Sequence, residues 1–227
     1  MEIHFILIEP AVPENIGASA RAINTMGFKS LRLVNPVNFP NEKANWLAHG
    51  SMDILEKTKL FKNLEEASHD LDFIIGTSAK KRSVKYDYYP ASKLKEIIQN
   101  KGSAIQNLGI VFGREESGLT NSELGSCDLV SYIPLASPYP SLNLSQAVML
   151  FAYHLSQLDE SLKFHNPNTR TPSYSILKTR IEEILQSIGM DPTGAKYNRI
   201  FERLSIVGEK DIKLLHSIAI ELIKRLD

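Results

Sequence analysis

Asparagine, glutamate, serine and arginine are grouped with glycine or proline in four short stretches, each following an apolar run. The first is Glu9-Pro10-Ala11-Val12-Pro13-Glu14-Asn15-Ile16-Gly17, with Arg21 about one helical turn further on. The second is Gly76-Thr77-Ser78-Ala79, and the third is Gly113-Arg114-Glu115-Glu116-Ser117-Gly118-Leu119. The fourth leads through Pro134 and Pro138-Tyr139-Pro140 to Ser141-Leu142-Asn143-Leu144-Ser145-Gln146. Amides and carboxylates of this kind orient a polar substrate, a fixed arginine stabilises negative charge, and glycine admits a close backbone approach. Any one of these glycines alone reads as a turn residue supplying a positive φ. Their joint occurrence in this order is harder to assign to turns. Familiar phosphate cradles do not fit: no GxGxxG follows the first apolar run, and GREESG continues Leu-Thr where a P-loop needs Lys-Ser/Thr. A nicotinamide or nucleoside-triphosphate enzyme therefore ranks low.

The elements that must position these stretches are apolar and β-branched runs at Phe5 to Ile8, Leu31 to Val34, Phe73 to Ile75, Ile110 to Phe112 and Leu129 to Ile133. Helical patterns lie between most of them, and continuous apolar runs are what a parallel sheet buried on both faces requires. The fold class is therefore α/β with a mostly parallel sheet, whose ligands bind beyond the carboxyl ends of the strands. A first helix is predicted from about Glu14 to Met26 with Gly27 as its stop, and Thr120 with Glu123 has capping-box spacing. Leu144 to Leu158 predicts a long helix that closes the first domain. Residues 1–160 form that domain, and the Asn-, Pro- and Thr-rich stretch within 161–173 reads as a linker. Residues 174–227 follow as a small all-helical module, with stripes at Leu177, Ile181, Ile184, Leu185 and Ile188 and at Ile212, Leu215, Ile218, Ala219, Leu222 and Ile223, and a middle helix near Tyr197 to Leu204.

Formal net charge is zero, a mild argument against nucleic-acid binding. Locally the balance differs, with seven basic and two acidic residues between Ala79 and Lys101, a surplus of five that suits a phosphate-binding edge or merely a solvated face. Cys127 is the single cysteine, and it and the six histidines show no CxxC or HExxH spacing. No disulfide and no metal are expected, and the compartment is expected to be reducing. His4, Trp46 and Cys127 are read as structural. No apolar run approaches the roughly 18 residues of a spanning helix, and no basic leader precedes Phe5. Neither membrane insertion nor secretion is expected, which leaves a cytoplasmic location.

NIGASAR, FGREESGL and PSLNLSQA, in this order, resemble the three motifs of the SPOUT class of RNA methyltransferases, and together they span roughly Met1 to Leu158. Within the class, FILIEPAVPENIGASARA, the Thr-Ser-Ala turn and the appended helices look most like the bacterial tRNA 2′-O-methyltransferases acting on cytidine or uridine 32 of the anticodon loop. The resemblance implies a C-terminal trefoil knot in the α/β domain, S-adenosyl-L-methionine as methyl donor, RNA, chiefly tRNA, as partner, and a homodimer with a shared active site. It implies a catalytic set of Arg21, Asn15, Glu115, Ser141 and Asn143. Arg21 would act on the ribose hydroxyl as a fixed cation, since a guanidinium stays protonated. The cofactor set implied is Thr77, Ser78, Ala79, Gly113, Ile133, Leu135, Ser141, Leu142 and Asn143, largely through backbone groups. For RNA it implies Arg82 and Arg114, with Lys80 and Lys81 behind them. Lys80 stands where arginine often follows the Thr-Ser-Ala turn, replacing a fork by a point charge. Tyr139 is a candidate for base stacking or for packing. Other readings are the same chemistry on another RNA such as rRNA, a non-catalytic knotted RNA-binding protein, and an unrelated doubly wound nucleotide enzyme.

Overall fold

The computed structural model describes residues 1–85, 87–137, 141–158 and 173–226. Seven strands form one sheet: β1 (Glu2–Ile8), β2 (Ser30–Val34), β3 (Lys59–Phe61), β4 (Phe73–Thr77), β5 (Tyr88–Pro90), β6 (Asn107–Phe112) and β7 (Leu129–Tyr132). Their spatial order is β3-β2-β1-β6-β4-β7-β5, and every pairing is parallel. The five apolar runs became the five inner strands. The two edge strands, KLF and YYP, have three residues each, too few to show a period, and Pro90 sits where an edge strand tolerates a missing N–H.

Helices connect the strands: α1 (Pro13–Thr25), α2 (Glu42–Leu47), α3 (Met52–Glu56), α4 (Leu64–Ser68), α5 (Leu94–Lys101), α6 (Asn121–Ser126) and α7 (Leu144–Ser156). Proline at the first position of α1 costs no hydrogen bond, and Gly27 at φ 83 follows its end. The Thr120–Glu123 capping box starts α6 as its spacing predicts. Alternate residues of β1 face opposite cores. Phe5 and Leu7 join Phe28, Phe112 and Phe151 on one face, whereas Ile6 and Ile8 join Ala67, Val111 and Leu124 on the other.

Beyond residue 172 the chain forms α8 (Tyr174–Ser187), α9 (Ala195–Leu204) and α10 (Glu209–Leu226). These helices share the larger core, and their polar ties run to the amino ends of the strands. Tyr174 sets its ring edge-on to Phe73 at 5.0 Å, and Lys178 donates to Asp128 at 2.8 Å. Ser175 meets Asp72, Glu209 meets Ser103, and Arg199 pairs with Asp87 just before β5. Lys101, fully buried, donates to the Val207 carbonyl, and its ammonium lies 4.7 and 4.3 Å from the ring centres of Phe73 and Tyr174. Of the expected linker, residues 161–172 lie outside the described residues, as do Pro138, Tyr139 and Pro140; Ser173 caps α8.

Candidate active site

The registers Leu7 to Phe112, Gly76 to Val111 and Thr77 to Ser131 align the carboxyl ends of β1, β6, β4 and β7. The chain winds from β1 outward through β2 to β3, then crosses β1 to lay down β4, so the sheet reverses direction here. Such a reversal opens a crevice at the strand ends, where doubly wound sheets bind ligands. All four chemistry-bearing stretches emerge on that edge.

Three of them are joined by one hydrogen-bonded line. Asn143 Nδ2 donates to Asn15 Oδ1 at 2.9 Å, and Asn15 Nδ2 donates to Glu115 Oε1 at 3.0 Å. Glu115 also accepts the backbone N–H groups of Ala11 and Val12 at 3.2 and 3.3 Å. A carboxylate only accepts, so it fixes which way both amides point. Burial pushes the Glu115 carboxyl up, but the hydrogen bonds from Asn15, Ala11 and Val12 outweigh it and hold the group below the usual range. Asn143 is also the N-cap of α7: its Oδ1 accepts from the Ser145 N–H, while Gln146 returns to the Asn143 N–H. The third motif thus starts a helix and ends the line with the same side chain. Asn15 is 7% exposed, so its amide must have these partners.

At position 113 the chain itself supplies a steric reason for glycine. A Cβ there would run into the backbone of Gly118 and Leu119, so glycine is needed for the loop to close on itself through the paired Arg114 and Gly118 backbones. Gly17 is similar: its Cβ would occupy the Ala44 carbonyl, so α1 and α2 touch only because the residue is glycine.

The arginines expected to meet RNA are engaged within the chain. Arg82 donates to the carbonyls of Leu119 at 2.7 Å and Ser117 at 3.1 Å, and to Asn121 at 3.4 Å. Arg114 donates to Glu9 at 2.8 Å and, through two nitrogens, to both Glu123 oxygens at 3.0 and 3.1 Å. Lys80 and Lys81 are exposed, Lys81 with its ammonium 6.0 Å from the Tyr132 ring centre. Glu9 and Glu123 were missed as site residues. The capping box was the one sign of Glu123, and nothing local announces Glu9, whose φ of 46 lies in the left-handed region.

Of the cofactor set, Thr77 gives its hydroxyl to the Val111 carbonyl and Ser78 its N–H to Ser131, which leaves Ala79 exposed at the turn. Ile133 is half-buried and Leu135 exposed beyond β7, while Ser141 is exposed and Leu142 half-buried. Arg21 stands apart. It is exposed on α1, six residues and about 9 Å beyond Asn15, and its side chain makes no hydrogen bond or ion pair among the described residues. His4 is buried against Ser30 and Arg32, and Cys127 is buried, its thiol pushed up to about 12 by desolvation. Trp46, read as structural, is instead 64% exposed on α2. Among the described residues no group of three or more His, Cys, Asp or Glu is arranged to hold a metal ion, and no helix is long and apolar enough to cross a membrane. A recess lined by Met1, Glu2, Phe28 and Leu158 lies at the amino ends of the strands, away from these groups.

Residues 2–153 match the SpoU rRNA Methylase family, and residues 171–226 match the C-terminal domain of the tRNA/rRNA methyltransferase LasT. The chain is 36% identical over 227 residues to an uncharacterized tRNA/rRNA methyltransferase, LasT, of Escherichia coli (strain K12), covering 100% of this chain and 99% of that one. It is 37% identical over 175 residues to the tRNA (cytidine-2′-O-)-methyltransferase TrmJ of Methanocaldococcus jannaschii, covering 75% of this chain and 74% of the relative. The crystal structure of TrmJ from Z. mobilis ZM4 superposes with a TM-score of 0.68 at 25% identity over 98% of this chain and 99% of that one. With the three motif stretches brought to one sheet edge and two thirds of the length matched by the family, the chain belongs to the SpoU methylase family and is an RNA methyltransferase.

Proposed function

We propose that the protein transfers a methyl group from S-adenosyl-L-methionine to a ribose 2′-hydroxyl of tRNA, at cytidine or uridine 32 of the anticodon loop. The observation that carries this reading is the Asn143–Asn15–Glu115 line, which ties three separate turns into one polar surface at the carboxyl ends of β1 and β6. The activity of the M. jannaschii relative, transfer to a cytidine 2′-oxygen of tRNA, supports the substrate.

The residues present suit the cofactor. Thr77 pairs with Ser131, so the exposed turn at Ala79 and the apolar Ile133 and Leu135 follow adjacent strands, and backbone polar groups and aliphatic surface are offered together, as a nucleoside with a sulfonium-bearing amino-acid tail requires. Thr77, Ser78, Ala79, Gly113, Ile133, Leu135, Ser141, Leu142 and Asn143 would hold it. When bound, it supplies an electrophilic methyl group. Asn15, Glu115, Ser141 and Asn143 orient the ribose hydroxyl and its neighbouring phosphate, and positioning of this kind lowers the barrier substantially. Arg21 offers a fixed cation to the developing alkoxide.

Arg21 does not reach the polar line of its own chain, and a homodimer in which a second copy presents it completes the set. The trefoil knot belongs to the same reading: β7 stands three strands from β1 in the sheet, yet α7 after it packs on α1, a path that threading through the loops at this edge accommodates. The catalytic part is assigned to residues 1–160 and the helical part to 174–227. The site of action is the cytoplasm, where the RNA is.

The test is methylation of bulk tRNA from cells lacking the gene, using purified protein and labelled donor, with the product nucleotide mapped by mass spectrometry. A 2′-O-methyl at nucleotide 32 is expected. Incorporation elsewhere in tRNA, or in rRNA, overturns the target and leaves the chemistry.

A further inference from the structure

Resting on that reading of the site, we infer that Arg114 is a positioning residue: it fixes the Glu115–Asn15–Asn143 line from behind and does not contact RNA phosphate. Its guanidinium is bracketed by two carboxylates. Nε donates to Glu9, Nη1 to Glu123 and to the Gly118 carbonyl, and Nη2 to the other Glu123 oxygen. Four of the five N–H donors of a guanidinium are thereby in use. The Arg114 hydrogen bond holds Glu9 below the usual carboxylate range; at Glu123 burial works the other way but the bonds from Arg114 and Thr120 outweigh it. The cluster therefore carries one cation and two anions, a net negative charge that repels a phosphate.

The three partners belong to three elements. Glu9 is in the turn after β1, Arg114 in the loop after β6, and Glu123 in α6. The same turn and the same loop are tied a second time, one residue on, where Glu115 accepts from Ala11 and Val12. Adjacent residues thus grip one turn at two points, and a rotation of the loop that would break the polar line must break the Arg114 bracket too. Glu9 pays for its place with a left-handed backbone, a conformation that persists only where surrounding contacts over-determine it.

The experiment uses the full chain with Arg114→Met and Glu9→Gln, and measures kcat, KM for tRNA, and tRNA affinity across a salt series. A positioning role predicts kcat lower by roughly 10²-fold for Arg114→Met, a smaller fall in the same direction for Glu9→Gln, and tRNA affinity and its salt slope unchanged in both. Loss of a phosphate contact would instead lower the salt slope by about 0.9, and that result with kcat intact overturns the inference. Glu9→Gln keeps most of the packing and serves if Arg114→Met does not fold. If the wild-type protein transfers no methyl group, the reading of the activity has failed. The inference is then decided by hydrogen exchange at the Ala11 and Val12 amides, which must speed up in Glu9→Gln if the bracket holds the turn.

Discussion

At the scale of residues, the site divides into side chains that are tied down and side chains that are free to act. Asn15, Glu115 and Asn143 are tied to one another, Arg82 to the loop after β6 and Arg114 to Glu9, Gly118 and Glu123, while the Arg21 side chain projects from α1 with no hydrogen bond or ion pair among the described residues. Arg21→Ala is expected to lower methyl transfer by about 10²-fold or more while leaving donor affinity unchanged by calorimetry. Loss of donor binding in a folded variant would reassign the residue to the cofactor pocket. The exposed lysines are the better phosphate ligands: a Lys80→Ala, Lys81→Ala double variant should reduce the slope of log affinity against log salt by about 1.8. An unchanged slope would move the RNA path away from this turn. Motif order made Asn15, Glu115 and Asn143 legible before any fold was known. The partners of Arg82, 35 to 39 residues away, and the Glu9 partner of Arg114, 105 residues away, were not, because local spacing carries no record of such pairings.

At the scale of elements, glycine and lysine at helix contacts decide how closely parts approach. The Gly17 contact fixes α1 against α2, so Gly17→Ala should destabilise the fold by about 1–3 kcal/mol, seen as a lower melting temperature. Lys101 at the end of α5 is the more unusual group. Burial pushes its amine down to about 7 against the pull of Asp128, whereas in the unfolded chain it titrates near 10.5. Between those limits the unfolded chain binds the extra proton, so stability is lost as pH falls from about 10.5 towards 7 and levels off below. The slope cannot exceed about 1.4 kcal/mol per pH unit. Lys101→Met should flatten that dependence and raise stability at neutral pH. Chemical denaturation at pH 7 and pH 9 checks it, and an equal pH slope in the variant would mean that the amine keeps its charge between the rings of Phe73 and Tyr174.

For the whole molecule, the placement of the last three helices matters most. Their ties through Tyr174, Lys178, Arg199 and Glu209 run to the amino ends of the strands, opposite the edge that carries the polar line. Removing residues 173–227 should therefore uncover Phe73 and Lys101 and lower the melting temperature sharply. A truncated chain that melts like the full one would show that these helices only dock. What the sequence determined was local: apolar runs long enough to show a period became the inner strands, capping signals set the helix ends at Gly27 and Thr120, and motif order named the polar line. The tertiary structure alone decided the sheet order, the short edge strands β3 and β5, the covering of the amino edge and the partners of each arginine. Periodicity and capping are written in neighbours a few residues apart, whereas strand order and ion pairs are chosen by competition among segments that meet only once the chain is folded.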